Sequence, residues 1–206
     1  MMAHSIILGV TGSIAAYKAC EIVSSLVKMG VNVIVVMTSS AQHFVSPLTF
    51  STLSRNEVVT DFFGRQEVYD PHHVSLADRA DLILLAPATT SLIGKLASGI
   101  SDDILTCTVL ASQARVLIAP AMDDRMYHHP IVQGNIKRLK DIGYKFIGPV
   151  EGPLASGRVG VGRLAPVEDI VKTVLKELEG LSPESLTPDS RRKKAPQEHI
   201  GEKTKS

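Results

Sequence analysis

Four short stretches stand out as candidate ligand contacts: Thr11-Gly12-Ser13, Thr38-Ser39-Ser40, Pro87-Ala88-Thr89-Thr90-Ser91 and Pro120-Ala121-Met122-Asp123. The first three are rich in small hydroxyl residues, and the only charge among the four is Asp123. Such residues offer hydroxyls and backbone N–H groups to a phosphate, above all where a helix begins. Met122 adds a polarisable apolar contact for a flat ring. The run GVTGSI at 9–14 is glycine-rich, yet it satisfies neither G-x-G-x-x-G nor the G-K-[ST] of a P-loop. One tight turn needs glycine for its own geometry. Three hydroxyl-bearing stretches ask for a ligand.

Histidines and acids complete the candidate chemistry. His72-His73 and His128-His129 are adjacent pairs, so their side chains diverge and lack the i, i+4 spacing of a metal site. His128 and His129 read as surface residues. His73 reads either as a surface histidine or as a general base working near neutral pH. Asp102-Asp103 sits at a helix start and reads as a cap, and Asp123-Asp124 follows a strand and reads as the cap of a short turn. The chain has no nucleophile elbow, H-E-x-x-H or C-x-x-C.

Each hydroxyl-rich stretch follows an apolar run. Ser5 to Val10, Val31 to Met37, Asp81 to Ala86 and Arg115 to Ala119 read as buried strands, and Tyr144 to Ile147 as a fifth. Helical spacing marks Ile14 to Met29, which Gly30 closes. It also marks Ala41 to Leu53 with Ser39 or Ser40 as cap, Thr90 to Ala97, Asp102 to Ala111, Ile131 to Ile142 and Val167 to Leu178. The segment between Leu53 and Asp81 is looser, and 148–162 reads as Gly/Pro-rich loop. Strand–helix alternation predicts an α/β fold: a doubly wound parallel sheet in a Rossmann/flavodoxin-like three-layer sandwich. Ligands of such sheets bind outside the carboxyl ends of the strands, where the four stretches lie.

Bulk properties set limits. The 206 residues have a net charge of +1, 44% hydrophobic and 21% charged residues, ordinary for one globular domain. That balance argues against nucleic-acid and membrane partners. Residues 1–181 read as the domain. Residues 182–206, with Arg191, Arg192, Lys193 and Lys194 in a row, read as a disordered basic tail. Two lone cysteines, Cys20 and Cys107, and no leader-like apolar segment predict a cytoplasmic protein.

Beyond these readings, the chain resembles the homo-oligomeric flavin-containing cysteine decarboxylases. This family includes phosphopantothenoylcysteine decarboxylases of coenzyme A synthesis and lanthipeptide cysteine decarboxylases. The resemblance runs from about Ile6 to Leu178. It rests on GVTGSIAAYK (9–18), FVSPLTF (44–50), HVSLADRAD (73–81), APAT (86–89), KLASGISDDIL (95–105) and PAMDDRMY (120–127). It implies FMN held by Gly12, Ser13, Ile14, Thr38, Ser40, Ala88, Thr89, Ser91 and Met122, with no metal. It implies His73 as the active-site histidine, a homotrimer, and a small-molecule substrate with a cysteine-derived carboxylate. The family reaction oxidises a cysteinyl thiol to a thioaldehyde, which draws out CO₂ and leaves an enethiol. The coenzyme A members then return the electrons.

Two positions depart from the family pattern. Asp123 stands where the family has a substrate-contacting asparagine, and Ser156 stands where the coenzyme A members have cysteine. Two further changes are Ser91 for asparagine and Tyr127 for tryptophan. Asparagine donates hydrogen bonds; an ionised aspartate only accepts. Like-charge repulsion with a substrate carboxylate would be ~4 kcal/mol at ~4 Å and an effective dielectric of ~20. A protonated Asp123 or a different substrate would relieve it. A thiol with a pKa of ~8.5 can protonate an enethiol, and a serine hydroxyl is far weaker. Three readings stay open: a decarboxylase of this type, a non-catalytic flavin-binding or regulatory subunit, and a flavoenzyme of the same fold with another substrate.

Overall fold

Five parallel strands carry the fold: β1 (Ser5–Val10), β2 (Asn32–Met37), β3 (Leu82–Ala88), β4 (Arg115–Pro120) and β5 (Lys145–Phe146). The computed structural model describes residues 4–61 and 72–181, so the tail predicted for 182–206 lies outside the described residues. The sheet order is β2-β1-β3-β4-β5, which reverses direction between β1 and β3. The predicted doubly wound sheet is therefore observed.

Strand periodicity divides the core in two. Ile6, Leu8, Val33, Val35, Leu82, Leu84 and Leu117 face one cluster; Ile7, Ile34, Ile83, Leu85, Val116 and Ile118 face the other. Alternate side chains of a strand point to opposite faces, so a sheet covered on both sides must be apolar throughout. Helices α1 (Ala16–Lys28), α2 (Pro47–Ser54) and α8 (Val167–Glu179) cover the first face. Helices α3 (His72–Arg79), α4 (Thr90–Ser98), α5 (Ile104–Ala111) and α7 (Pro130–Asp141) cover the second. In α8, Ile170, Val171, Val174 and Leu178 are buried at helical spacing.

Four expectations need correction. The helix expected over Ala41 to Leu53 is split into a 3₁₀ turn, Ala41–His43, and α2. Pro47 forces Ser46 into extended backbone (ψ 139°), and the Ser46 hydroxyl, not Ser39 or Ser40, caps the helix. Strand β3 runs through Pro87 to Ala88 rather than stopping at Ala86. The looser region contains α3. The predicted loop at 148–162 is largely an antiparallel hairpin of β6 (Val150–Pro153) and β7 (Val159–Arg163).

The remaining short elements begin as expected. Asp103 caps α5 through a capping box with Thr106. Asp123 caps α6 (Asp124–Tyr127) by accepting the Arg125 N–H.

Candidate functional site

The site grows from the point where the sheet order reverses. Thr11 directly follows β1 and is 2% exposed. Its hydroxyl donates to the Pro87 carbonyl at 2.6 Å and accepts the Thr89 N–H at 3.1 Å, tying the loop after β1 to the loop after β3. Next to it, Ala121 N–H donates to Ala88 O at 3.0 Å, which ties in the loop after β4. The loop after β2 is drawn in by close packing. A Cβ on Gly12 would lie 2.5 Å from Ser40 Oγ, so only glycine allows this approach.

Helix ends at these loops present donors. Thr89 caps α4 by accepting the Leu92 N–H, and Ser91 lies exposed in its first turn. The first N–H groups of a helix have no carbonyl partner within it. Helix α1 starts at Ala15 with no capping side chain and no acid in its first turn, which leaves its positive end uncompensated. Ser13 Oγ accepts from Ala15 N at 3.2 Å, and Thr38 Oγ1 and Ser40 Oγ lie 3.1 Å apart.

A cavity of about 430 Å³ opens beside these loops. Its walls are Ser13 to Lys18 at the start of α1, Ala121 to Asp123 after β4, and Pro153 to Ser156 and Gly162 to Leu164 on the hairpin, without Cys20 or Cys107 and without residue 16. Predicted site residues Ser13, Ile14, Met122, Asp123 and Ser156 meet here. Ile14 is 61% exposed, a large apolar side chain turned outward at the mouth. Gly12, Thr38, Ser40, Ala88, Thr89 and Ser91 belong to the adjoining strand-end loops rather than to the cavity wall.

His73 is not brought to the cavity within one chain. It is half-buried in the first turn of α3, on the opposite face of the sheet from α1. His128 and His129 are exposed as expected; His129 Nδ1 accepts the Ile131 N–H and caps α7.

Sequence reasoning missed Arg158. It sits at the end of the hairpin turn, which Leu154 N–H closes by donating to Arg158 O at 2.8 Å. Its guanidinium donates to Asp123 Oδ1 at 2.5 Å and to Asp124 Oδ1 at 2.9 Å. The Arg158 guanidinium holds the Asp124 carboxyl below the usual carboxylate range. Asp123 thus gains a cation, a relief that neither sequence-based route had offered. Glycines bring the hairpin close: a Cβ on Gly160 would lie 2.7 Å from Asp124 Cβ, and one on Gly162 would run into the Met122 carbonyl. The Met122 N–H donates to Gly162 O at 2.9 Å across the same junction. Only the glycine-rich spacing of Gly160 and Gly162 could have hinted at this close packing.

Known proteins resemble this chain in sequence and fold. The Coenzyme A biosynthesis bifunctional protein CoaBC of Bacillus subtilis (strain 168) is 56% identical over 173 residues, which cover 84% of this chain and 43% of that protein. The chain thus spans less than half the length of that relative. A Probable phosphopantothenoylcysteine decarboxylase of Streptococcus mutans is 42% identical over 179 residues, covering 86% of this chain and 100% of the relative. Among solved structures, a PPC decarboxylase mutant complexed with pantothenoylaminoethenethiol superposes with a TM-score of 0.77 at 29% identity, covering 86% of this chain and 99% of that one. The FMN-dependent cysteine decarboxylase SpaF superposes with a TM-score of 0.75 at 29% identity, covering 86% and 98%. A model of the family described as Flavoprotein matches residues 1–179, and the chain belongs to that family.

Proposed function

We propose that this chain is an FMN-dependent decarboxylase of 4′-phosphopantothenoylcysteine, acting in coenzyme A synthesis in the cytoplasm. The observation that carries this reading is a cavity that gathers Ser13, Ile14, Met122, Asp123 and Ser156 beside the strand ends. The match to the Streptococcus mutans decarboxylase along that protein's whole length supports it, as does the likeness to an FMN-dependent cysteine decarboxylase.

The residues present fit FMN. The donor set is hydroxyls and helix-start N–H groups without a carboxylate among them, which suits a phosphate. Ser13, Thr38, Ser40, Thr89 and Ser91 would hold that phosphate end, with Gly12 and Ala88 letting backbone come close. Ile14 and Met122 supply apolar contacts for a ring. Bound there, FMN supplies the two-electron acceptor that oxidation of a cysteinyl thiol requires.

The chain's own groups do the rest. The hairpin covers the substrate side and excludes water. Asp123 sets polarity near the departing carboxylate. Ser156 lies where a proton donor to the product would act, and its hydroxyl is too weak an acid to serve well. A relative's mutant is complexed with an ethenethiol, the class of product expected when that protonation fails. His73 lies outside the lining of its own chain's cavity, so a homotrimer would offer one copy's α3 to the next copy's cavity.

Purified protein tests the proposal. It should be yellow, release CO₂ from 4′-phosphopantothenoylcysteine and bleach as it does so. Yellow protein that neither releases CO₂ nor bleaches would discard this substrate and favour a flavin-binding or regulatory subunit. Colourless protein that takes up no added FMN would discard both.

A further inference from the structure

Asp123 is the one acid among the described residues that line the cavity, and Lys18 and Arg163 line it too. A wall with two cations suits an anionic ligand; an uncompensated carboxylate in the same wall opposes it. Arg158 alters that balance from outside. It does not line the cavity, yet its guanidinium reaches the Asp123 carboxylate from the hairpin turn that carries Ser156. The same nitrogen also reaches Asp124, and Arg125 N–H donates to Asp123 Oδ1 at 3.1 Å. Asp123 is therefore held toward hairpin and helix start by two donors. Among the described residues Arg158 Nε is buried without a hydrogen-bond partner, so the side chain accepts a desolvation cost to make this contact.

Building on the decarboxylase reading, we propose that Arg158 is a specificity-determining positioning residue: by pairing with Asp123 it lets the cavity accept a ligand that carries a carboxylate. The pair does the work of a neutral side chain at position 123, with the compensating charge supplied from the hairpin turn. Asp124 and Gly160 complete the device, because the glycine lets the hairpin approach closely enough for Arg158 to span both acids.

The test uses FMN-loaded protein and two ligands that do not react. One is 4′-phosphopantothenoylserine, which keeps the carboxylate and has a hydroxyl for the thiol. The other is 4′-phosphopantetheine, which lacks the carboxylate. Affinities are measured by calorimetry for the natural chain, Arg158→Ala, Asp123→Asn and the double variant. Arg158→Ala should weaken the carboxylate ligand about tenfold or more and 4′-phosphopantetheine less than about threefold. Made on top of Asp123→Asn, the same change should cost the carboxylate ligand less than about threefold, because the charge it compensated is gone. Should Arg158→Ala fail to fold, Arg158→Lys and Arg158→Gln carry the comparison: Lys keeps the preference and Gln loses it. Equal weakening of both ligands, or an undiminished loss on top of Asp123→Asn, makes Arg158 a hairpin fastener and overturns the proposal while leaving the decarboxylase reading intact. A natural chain that binds neither ligand removes the substrate assignment and this inference with it.

Discussion

The Thr11 hydroxyl and the Pro87 carbonyl meet at 2.6 Å in a buried contact across the reversal of the sheet order. The same hydroxyl accepts the Thr89 N–H, so one side chain satisfies a carbonyl and an amide on the loop that starts α4. Replacing Thr11 with Val keeps the shape and strands both groups. We expect Thr11→Val to cost about 2–4 kcal/mol, read as a lower urea midpoint, and to weaken FMN retention. Thr11→Ser should lose under ~1 kcal/mol. Equal midpoints for Val and Ser would show that the hydroxyl is idle.

Glu177 predicts an acid-sensitive seam. Lys145 Nζ donates to it at 2.6 Å and Arg115 at 3.2 Å, joining α8 to β4 and β5. The Lys145 ammonium foremost, then Arg115, holds the Glu177 carboxyl below its ordinary 4.5 against the opposing effect of burial. A lowered folded-state pKa stabilises fully above the ordinary value and is lost as pH falls through the lowered one. Unfolding midpoints of the natural chain should thus hold above the ordinary 4.5 and drop as pH falls below it. Glu177→Gln should lose about 1 kcal/mol near neutrality and show a shallower drop. Superimposable acid limbs would rule the seam out.

Serine at 156 predicts an incomplete cycle. With 4′-phosphopantothenoylcysteine the natural chain should release CO₂, accumulate an enethiol and leave its flavin bleached. Ser156→Cys should restore the saturated thiol and return the yellow colour between turnovers, followed by absorbance and mass spectrometry. Repeated turnover to saturated thiol by the natural chain would show that another group donates the proton.

Glycines at three places give opposite expectations. Gly134 lies within α7 with nothing near its missing Cβ. Gly134→Ala should raise stability by about 0.5–1 kcal/mol. Gly162→Ala drives a methyl into the Met122 carbonyl and should cost about 1–3 kcal/mol while loosening the hairpin. Gly160→Ala meets Asp124 instead and should weaken the Arg158 contacts. Melting temperatures of the three variants check the order.

How much was legible follows from the same forces. Strands β1 to β4 and helices α1, α4, α7 and α8 announce themselves because apolar periodicity is a local signal. The hairpin does not: Val159 to Arg163 alternates valine with glycine rather than with polar residues, because Gly160 packs on Asp124 and Gly162 on the Met122 backbone, and Val150 to Pro153 carries a glycine and a proline. Pro47 is visible in the sequence, and the cap at Ser46 follows from the extended backbone that a residue before proline adopts. The loops after strands are legible as a site because sheet topology dictates where ligands go. Arg158 is not legible, since its partner Asp123 is far along the chain and no spacing rule links a hairpin turn to a strand end.

The cavity walls come from residues within 13–18, 121–123, 153–156 and 162–164, with the whole of β2, β3 and β4 threaded between the first wall and the second. During synthesis the first wall exists long before the last. At about 5–20 residues per second, some 8–30 seconds separate the emergence of Ser13 from that of Leu164. Stable capture of a ligand in this cavity must therefore be a late event in the life of the nascent chain. Flavin fluorescence quenching on stalled ribosomes would report the moment at which the hairpin arrives.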